Sequence, residues 1–424
     1  MAQASLNIEG MAFCTLDIAG SPMPPSMNMI ENIWIMEGFG MGLPTMKLSL
    51  YDEKETLSRD LNLKEGTTIS IRLGKTADTA PEMKFRVFGW GRPRNSSGKV
   101  IHVACILDSP KFGAGSMTES FEGHTANVLQ QIAERSGLRF EGPTGAPKDT
   151  QVWLNVSQTR MSFSEDVAMR GYMSDESCMA RIVRMDGTLV YKDLMAVLKE
   201  EPKNTLVHNK DGAGASGKSV DVRAAKDRSY SGLFSHYINY GHKLFGHDFG
   251  SDDNGTFSIE SMDITAPGAA GVPVNMEVAA ELKERGARVT YSGLDPGTGP
   301  DEGFNIHEKY ERAYYQNVRL LSMFSESVIA LSDTATEIQT FQSIDYQQGA
   351  GAKGPAAPTP NDIAGRYVVG GKTIMVKGGK KYAELFYLYR PFLTEAGNPA
   401  GTSAPKKTGS ASTSGVNTSS RNFT

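Results

Sequence analysis

Between residues 1 and 120 apolar side chains recur at every second position. Met46, Leu48 and Leu50 fall on one side of a short segment. Ile69, Ile71 and Leu73 repeat the pattern, as do Phe85 and Val87, then Ile101, Val103 and Cys105. A period of two belongs to strands with one face buried. Turn-forming clusters separate the runs: Gly40-Met41-Gly42, Asn62, Gly66, and Arg92 to Gly98. Short strands at this spacing predict a barrel or sandwich. The charged run Asp52 to Lys54 reads as a solvated hairpin tip.

The period changes between Gly123 and Leu194. Thr125 stands at an N-cap position, Val128, Leu129, Ile132 and Ala133 form one apolar stripe, and Gly137 occupies the stop position of a short helix. Leu138 to Glu141 reads as a strand. Phe163, Val167 and Ala168 mark a second amphipathic helix ending at Gly171. Ala180 to Met185 and Thr188 to Lys192 flank Asp186-Gly187, a dipeptide suited to a type I′ hairpin turn with positive φ at both positions. This predicts a compact α+β module of roughly 70 residues, small enough to be an insertion.

The second half is less regular. Val220 and Val222 alternate as a strand after the Gly-rich loop Asn209 to Ser219. Asn275 to Gly286 reads as a helix, Arg288 to Tyr291 as a strand, and a further helix starts at Asn305. Val328 to Leu331 and Ile338 to Phe341 read as strands, and residues 347–361 as a Gly/Ala/Pro linker. Arg366 to Val376 is predicted as a hairpin around Gly370-Gly371, and Tyr382 to Tyr389 as a strand stopped by Pro391. The Ser/Thr/Gly-rich tail, residues 401–424, should be disordered when free.

Composition narrows the class. A chain of 424 residues has room for two to four domains, and 45 Gly with 20 Pro favour turn-rich β structure. A net charge of −4 gives no reason to expect tight general nucleic-acid binding. Cys14, Cys105 and Cys178 are scattered and odd in number, which argues against a disulfide framework. Residues 1–20 lack a basic and then apolar leader pattern, so no signal peptide is expected. No apolar run approaches the ~18–20 residues of a membrane span. The 20 Met read as adaptable core packing.

Two constellations suggest chemistry. Gly212 to Ser219 matches the phosphate-loop pattern, with Lys218 and Ser219 as its Lys-Ser pair. That loop needs a buried strand before it and a helix after it, and here a short polar segment precedes and an alternating one follows. His236, His242 and His247 with Asp248, Asp252 and Asp253 are the densest metal-capable set, yet their spacing matches no closed site. Hydrogen-bonded histidines and an Asp-Asp-Asn-Gly turn account for them. No G-x-S-x-G motif is present. The sequence therefore predicts no catalytic residues, no metal and no cofactor.

The order helix VLxxIAxxxGL, Gln-bearing strand, helix ending in Gly-Tyr, Gly-turn hairpin resembles the tail-hub (baseplate-hub) proteins of contractile bacteriophages, related to the base of type VI secretion spikes. Val128, Leu129, Ile132, Ala133, Gly137, Leu138, Gln158, Phe163, Gly171, Tyr172, Gly187 and Leu189 carry the resemblance. Leu43 to Gly74 is similar to the family's first barrel. One departure stands out: Ser164 follows Phe163 where the family's helix has Leu.

The resemblance implies a mainly β fold with α+β insertions: two tube-like β-barrel domains plus a small LysM-like α+β module. Residues 1–120 would form the first barrel and 121–200 the module. Residues 201–345 would form the second barrel with helical insertions, and 346–400 its linker and closing hairpins. Residues 401–424 would dock on a partner. It implies a non-enzymatic homotrimer of the virion baseplate, made in the host cytoplasm, that adapts a six-fold tube to a three-fold spike. The expected partners are the tail tube, central spike, tape-measure and wedge proteins. DNA passes without specific binding, and no membrane is involved. Two other readings stay open: a peptidoglycan-binding module, because Thr125 to Leu138 also resembles LysM, and a P-loop nucleotide-binding protein.

Overall fold

A computed structural model describes residues 13–22, 29–53, 57, 63–92, 99–174, 177–208, 219–229, 324, 326–348, 364–378, 381–391, 393–395 and 398–399. The first 107 residues supply β1 (Phe13–Ile18), β2 (Ser21–Pro22), β3 (Ile30–Gly38), β4 (Thr45–Tyr51), β5 (Thr68–Gly74), β6 (Glu82–Gly91) and β7 (Val100–Leu107). They pair antiparallel in the order β3-β4-β7-β6-β5-β1-β2. The alternation seen in the sequence is the cause: Met46, Leu48, Leu50, Ile69, Ile71 and Phe85 are 0 to 1% exposed on the inner face. Each such side chain contributes ~1.5–3 kcal/mol on burial.

Residues 110–199 form the inserted module. Its elements are α1 (Pro110–Gly113), β8 (Met117–Gly123), α2 (Thr125–Ser136), β9 (Arg139–Glu141), β10 (Gln151–Gln158), α3 (Arg160–Met169), β11 (Met179–Val183), β12 (Thr188–Asp193) and α4 (Leu194–Lys199). β8 and β10 pair as a two-stranded sheet, and β9, β12 and β11 as a three-stranded one. The predicted stripe Val128, Leu129, Ile132 and Ala133 is wholly buried, and Gly137 caps α2 with φ 76°. The module core is continuous with that of the first sheet.

The remaining strands are β13 (Thr205–His208), β14 (Ser219–Ser229), β15 (Glu326–Ser332), β16 (Ser343–Gln348), β17 (Gly365–Lys377) and β18 (Lys381–Arg390). They close into a ring, β16-β13-β14-β15-β18-β17, because β16 pairs with both β13 and β17. Leu206, Val328, Ile344, Tyr346, Tyr367 and Phe386 fill it. β17 belongs to both sheets. Its start, Gly365 to Val368, pairs with β16, and Gly371 to Lys377 pairs with β3. Ile374 and Val376 of β17 and Tyr382 of β18 join the core that β1 covers with Cys14 and Leu16.

Several expectations change. Gly370-Gly371 is not a hairpin turn: β17 runs straight through it with a bulge between Val369 and Gly371. A Cβ on Gly371 would lie 3.1 Å from the carbonyl oxygen of Glu37, so the glycine serves the close approach of β3. Ile338 to Phe341 is a loop, and the strand follows at Ser343–Gln348. Its apolar residues are anchors: Ile338 packs on the closed ring and Phe341 lies 6.2 Å from the ring of Phe39. Thr125 is not the N-cap. The His124 ring accepts from the Asn127 N–H at 3.1 Å, while Thr125 donates its N–H at 2.9 Å and its hydroxyl to buried Asp149. The β11–β12 turn is not type I′, since Gly187 has positive φ and Asp186 does not. The expected elements at 275–291 and 305–321, most of the 347–361 linker and the tail lie outside the described residues.

Gly171 reports on module packing. Its absent Cβ would sit 1.7 Å from the Tyr191 hydroxyl oxygen. Gly171→Ala should destabilise the protein by about 2 kcal/mol, read as a lower midpoint of thermal unfolding. The same change in a Tyr191→Phe background should recover a large part of that loss.

Candidate functional site

Three parts of the chain meet at one buried carboxylate. Glu37 of β3 is 4% exposed. It accepts the Met185 N–H at 2.5 Å and the Thr340 hydroxyl. Met185 sits in the β11–β12 turn of the module, and Thr340 in the loop before β16. Arg184, next in the same turn, donates to the Thr340 carbonyl at 2.9 and 3.2 Å and to Glu141 at 2.5 Å. Lys372 of β17 pairs with Glu384 of β18 at 3.0 Å and donates to the Ile338 carbonyl at 3.1 Å. Glu384 also accepts the Tyr382 hydroxyl at 2.5 Å and the Thr336 N–H at 3.2 Å.

The junction floors a cleft of about 680 Å³ between the β5 end of the first sheet, the module turn and the 336–342 loop. Its rim carries Lys75, Thr79, Lys203, Glu337 and Gln339. Burial raises the Glu37 carboxyl above its ordinary value of 4.5, against the pull of its two hydrogen bonds and of Lys372 and Arg184. Burial and the neighbouring Glu384 push the Tyr382 phenol well up.

The arrangement is a joint. The deep charges engage opposite charges or backbone groups, and among the described residues no three His, Cys, Asp or Glu gather as a metal site. Apolar contacts tolerate sliding, whereas hydrogen bonds between buried groups hold one orientation. The joint therefore fixes the angle of the module to both sheets. Burial also pushes the Cys14 and Cys105 thiols up to about 12, which leaves them poor nucleophiles.

Sequence reasoning missed the joint, although a signal existed. Glu37 follows Ile33 and Ile35 at inward parity on β3, and Lys372 precedes Ile374 and Val376 in the same way. A charge at a core-facing strand position needs a buried partner.

The other candidates fare differently. Gly212 to Lys218 lies outside the described residues, but Ser219 opens strand β14, paired parallel to β13. A phosphate loop requires a helix N-terminus there, so the P-loop reading is corrected. His236, His242, His247, Asp248, Asp252 and Asp253 all lie outside the described residues. The LysM-like pair α2–β9 is built into a larger unit: β9 pairs parallel to β12, and α2 shares the core of the first sheet. Among the described residues no helix is long and apolar enough to cross a membrane.

No family profile and no curated protein sequence matches this chain. Its fold does have solved counterparts. The 43 kDa tail protein of prophage MuSo2 from Shewanella oneidensis superposes with a TM-score of 0.51 at 11% identity, over 89% of this chain and 96% of that one. The two chains share one fold. A tail protein from Neisseria meningitidis gives 0.49 at 9% identity, over 89% and 95% of the two chains. An Escherichia coli type VI secretion component, described as similar to T4 tail proteins, gives 0.45 at 9%, over 91% and 78%.

The joint has a pH signature. A carboxyl with raised folded pKa binds its proton more tightly folded than unfolded. Its contribution is complete below 4.5, the ordinary value, and is lost as pH rises through the folded pKa. Glu37→Gln should carry a constant offset and lose this slope. Thermal melts from about pH 5 to about pH 8 should show the variant gaining on the wild type as pH rises.

Proposed function

We propose that this chain is a structural, non-enzymatic protein of a contractile phage tail, and within it the baseplate hub. The observation that carries this reading is a closed six-strand ring joined through β17 to a seven-strand antiparallel sheet, in a fold shared with a prophage tail protein along nearly its whole length. In the proposal, residues 1–120 with the end of β17 form one tube domain. Residues 201–400 form the second, 121–200 sit at the periphery, and 401–424 dock on a neighbour. Three copies then present six similar barrels, which matches a six-fold tube on one side and a three-fold spike on the other. The tape-measure protein and DNA pass through the lumen, whose wall is neutral or acidic. Strand edges are consumed by pairing and by neighbour contact, which suits a ring that must not aggregate.

Light scattering on the purified chain at about 10 μM should give three times the monomer mass, and addition of its tail-spike protein should give a stable co-complex. A monomer that stays monomeric with the spike protein present overturns the hub reading.

A further inference from the structure

The β8–β10 sheet leaves an apolar stripe uncovered. On β10, Trp153 and Asn155 point inward and are 3% and 0% exposed, whereas Val152, Leu154 and Val156 point outward at 45, 49 and 58%. Among the described residues β10 pairs with β8 alone, and its sequence QVWLNVSQ carries no charge. A solvent-facing stripe of three aliphatic side chains, on a strand with none of the lysines or prolines that guard free edges, is built to be covered. The neighbouring strand contributes acid to the same face, for Glu122 lies opposite Val152 and Ser120 opposite Leu154.

A second face has the opposite character. On the outer side of the first sheet, Trp34 of β3 is 36% exposed, with Lys47 of β4 beside it and the Lys377 ammonium 5.5 Å from its ring. Lys381 lies opposite Lys377 across the β17–β18 pairing. Among the described residues, Lys47, Lys377, Lys381 and Glu122 have no ion-pair partner. One face is aliphatic with an uncompensated carboxylate, and the other is aromatic with uncompensated ammonium groups.

We propose that the β8–β10 face of one copy docks on the Trp34 face of the next. Val152, Leu154 and Val156 cover the indole, and Glu122 meets Lys47 or Lys377. The contact joins two different surfaces of one chain, so it is head-to-tail, and repetition about a rotation axis closes a ring. The inference rests on the trimeric hub reading and names the faces that hold the trimer together. An ion pair at the rim of an apolar contact selects the partner and register more than it adds affinity.

Cross-linking tests this directly. The native Cys14, Cys105 and Cys178 are buried. The double variant Leu154→Cys with Trp34→Cys, treated with a short bismaleimide, should give covalent trimers, and neither single variant should. A charge swap supplies the second arm. Glu122→Lys should raise the trimer dissociation constant about tenfold, and adding Lys47→Glu with Lys377→Glu should restore most of it while each variant keeps the wild-type circular dichroism. Trimers that form normally but never cross-link at these positions overturn the contact and leave the hub reading standing. Dimers from Leu154→Cys alone overturn it in favour of a two-fold β10 contact. A wild-type chain that is monomeric with spike protein present removes both.

Discussion

β17 is the member on which the architecture depends. A strand of 13 residues is long enough to serve as a wall of two sheets in succession. Its first residues close the six-strand ring against β16, and its last seven extend the first sheet against β3. The transfer requires a local change of twist and a close backbone approach. The bulge after Val369 supplies the first, and the missing Cβ of Gly371 permits the second. Because ladder hydrogen bonds cross the boundary between the sheets, the two cannot rotate freely on a hinge.

The buried joint extends that rigidity to the module. Glu37 lies one residue before Gly38, which pairs with Gly371, so the carboxylate sits where β3 meets β17. From there it reaches the module turn and the loop before β16. The four-residue stretch Arg184 to Gly187 at the hairpin tip is what makes this contact, with Met185 offering its amide and Arg184 its guanidinium. Such a joint holds orientation at some cost in stability, because each buried charge gives up hydration.

Inside the module, Asp149 plays a similar part at smaller scale. Its carboxylate ties the first residue of α2 to Tyr172 just past α3, accepting the Tyr172 N–H at 2.7 Å. Tyr191 then fills the space over Gly171. The Gly-Tyr pair that carries the family resemblance thus has a packing reason: the glycine admits a phenol, and the tyrosine amide meets a buried acid.

The amino-acid sequence encodes the local elements wherever periodicity and chemistry agree. The strands of the first sheet were legible from Met46 to Cys105, and the α2 stripe and its Gly137 cap from their spacing, because side-chain alternation and capping are local properties. It also pointed to the mainly β class and, through the module, to a tail-protein fold. Pairing at a distance emerges only in the folded chain. A Gly-Gly pair reads as a turn until a second strand is seen to press on it. Ile338 and Phe341 read as a strand until their partners prove to be Phe39 and the ring interior. Thr125 reads as a cap until Asp149, 24 residues away, claims its hydroxyl. Glu37 and Thr340 are 303 residues apart, and no local pattern encodes a hydrogen bond over that separation.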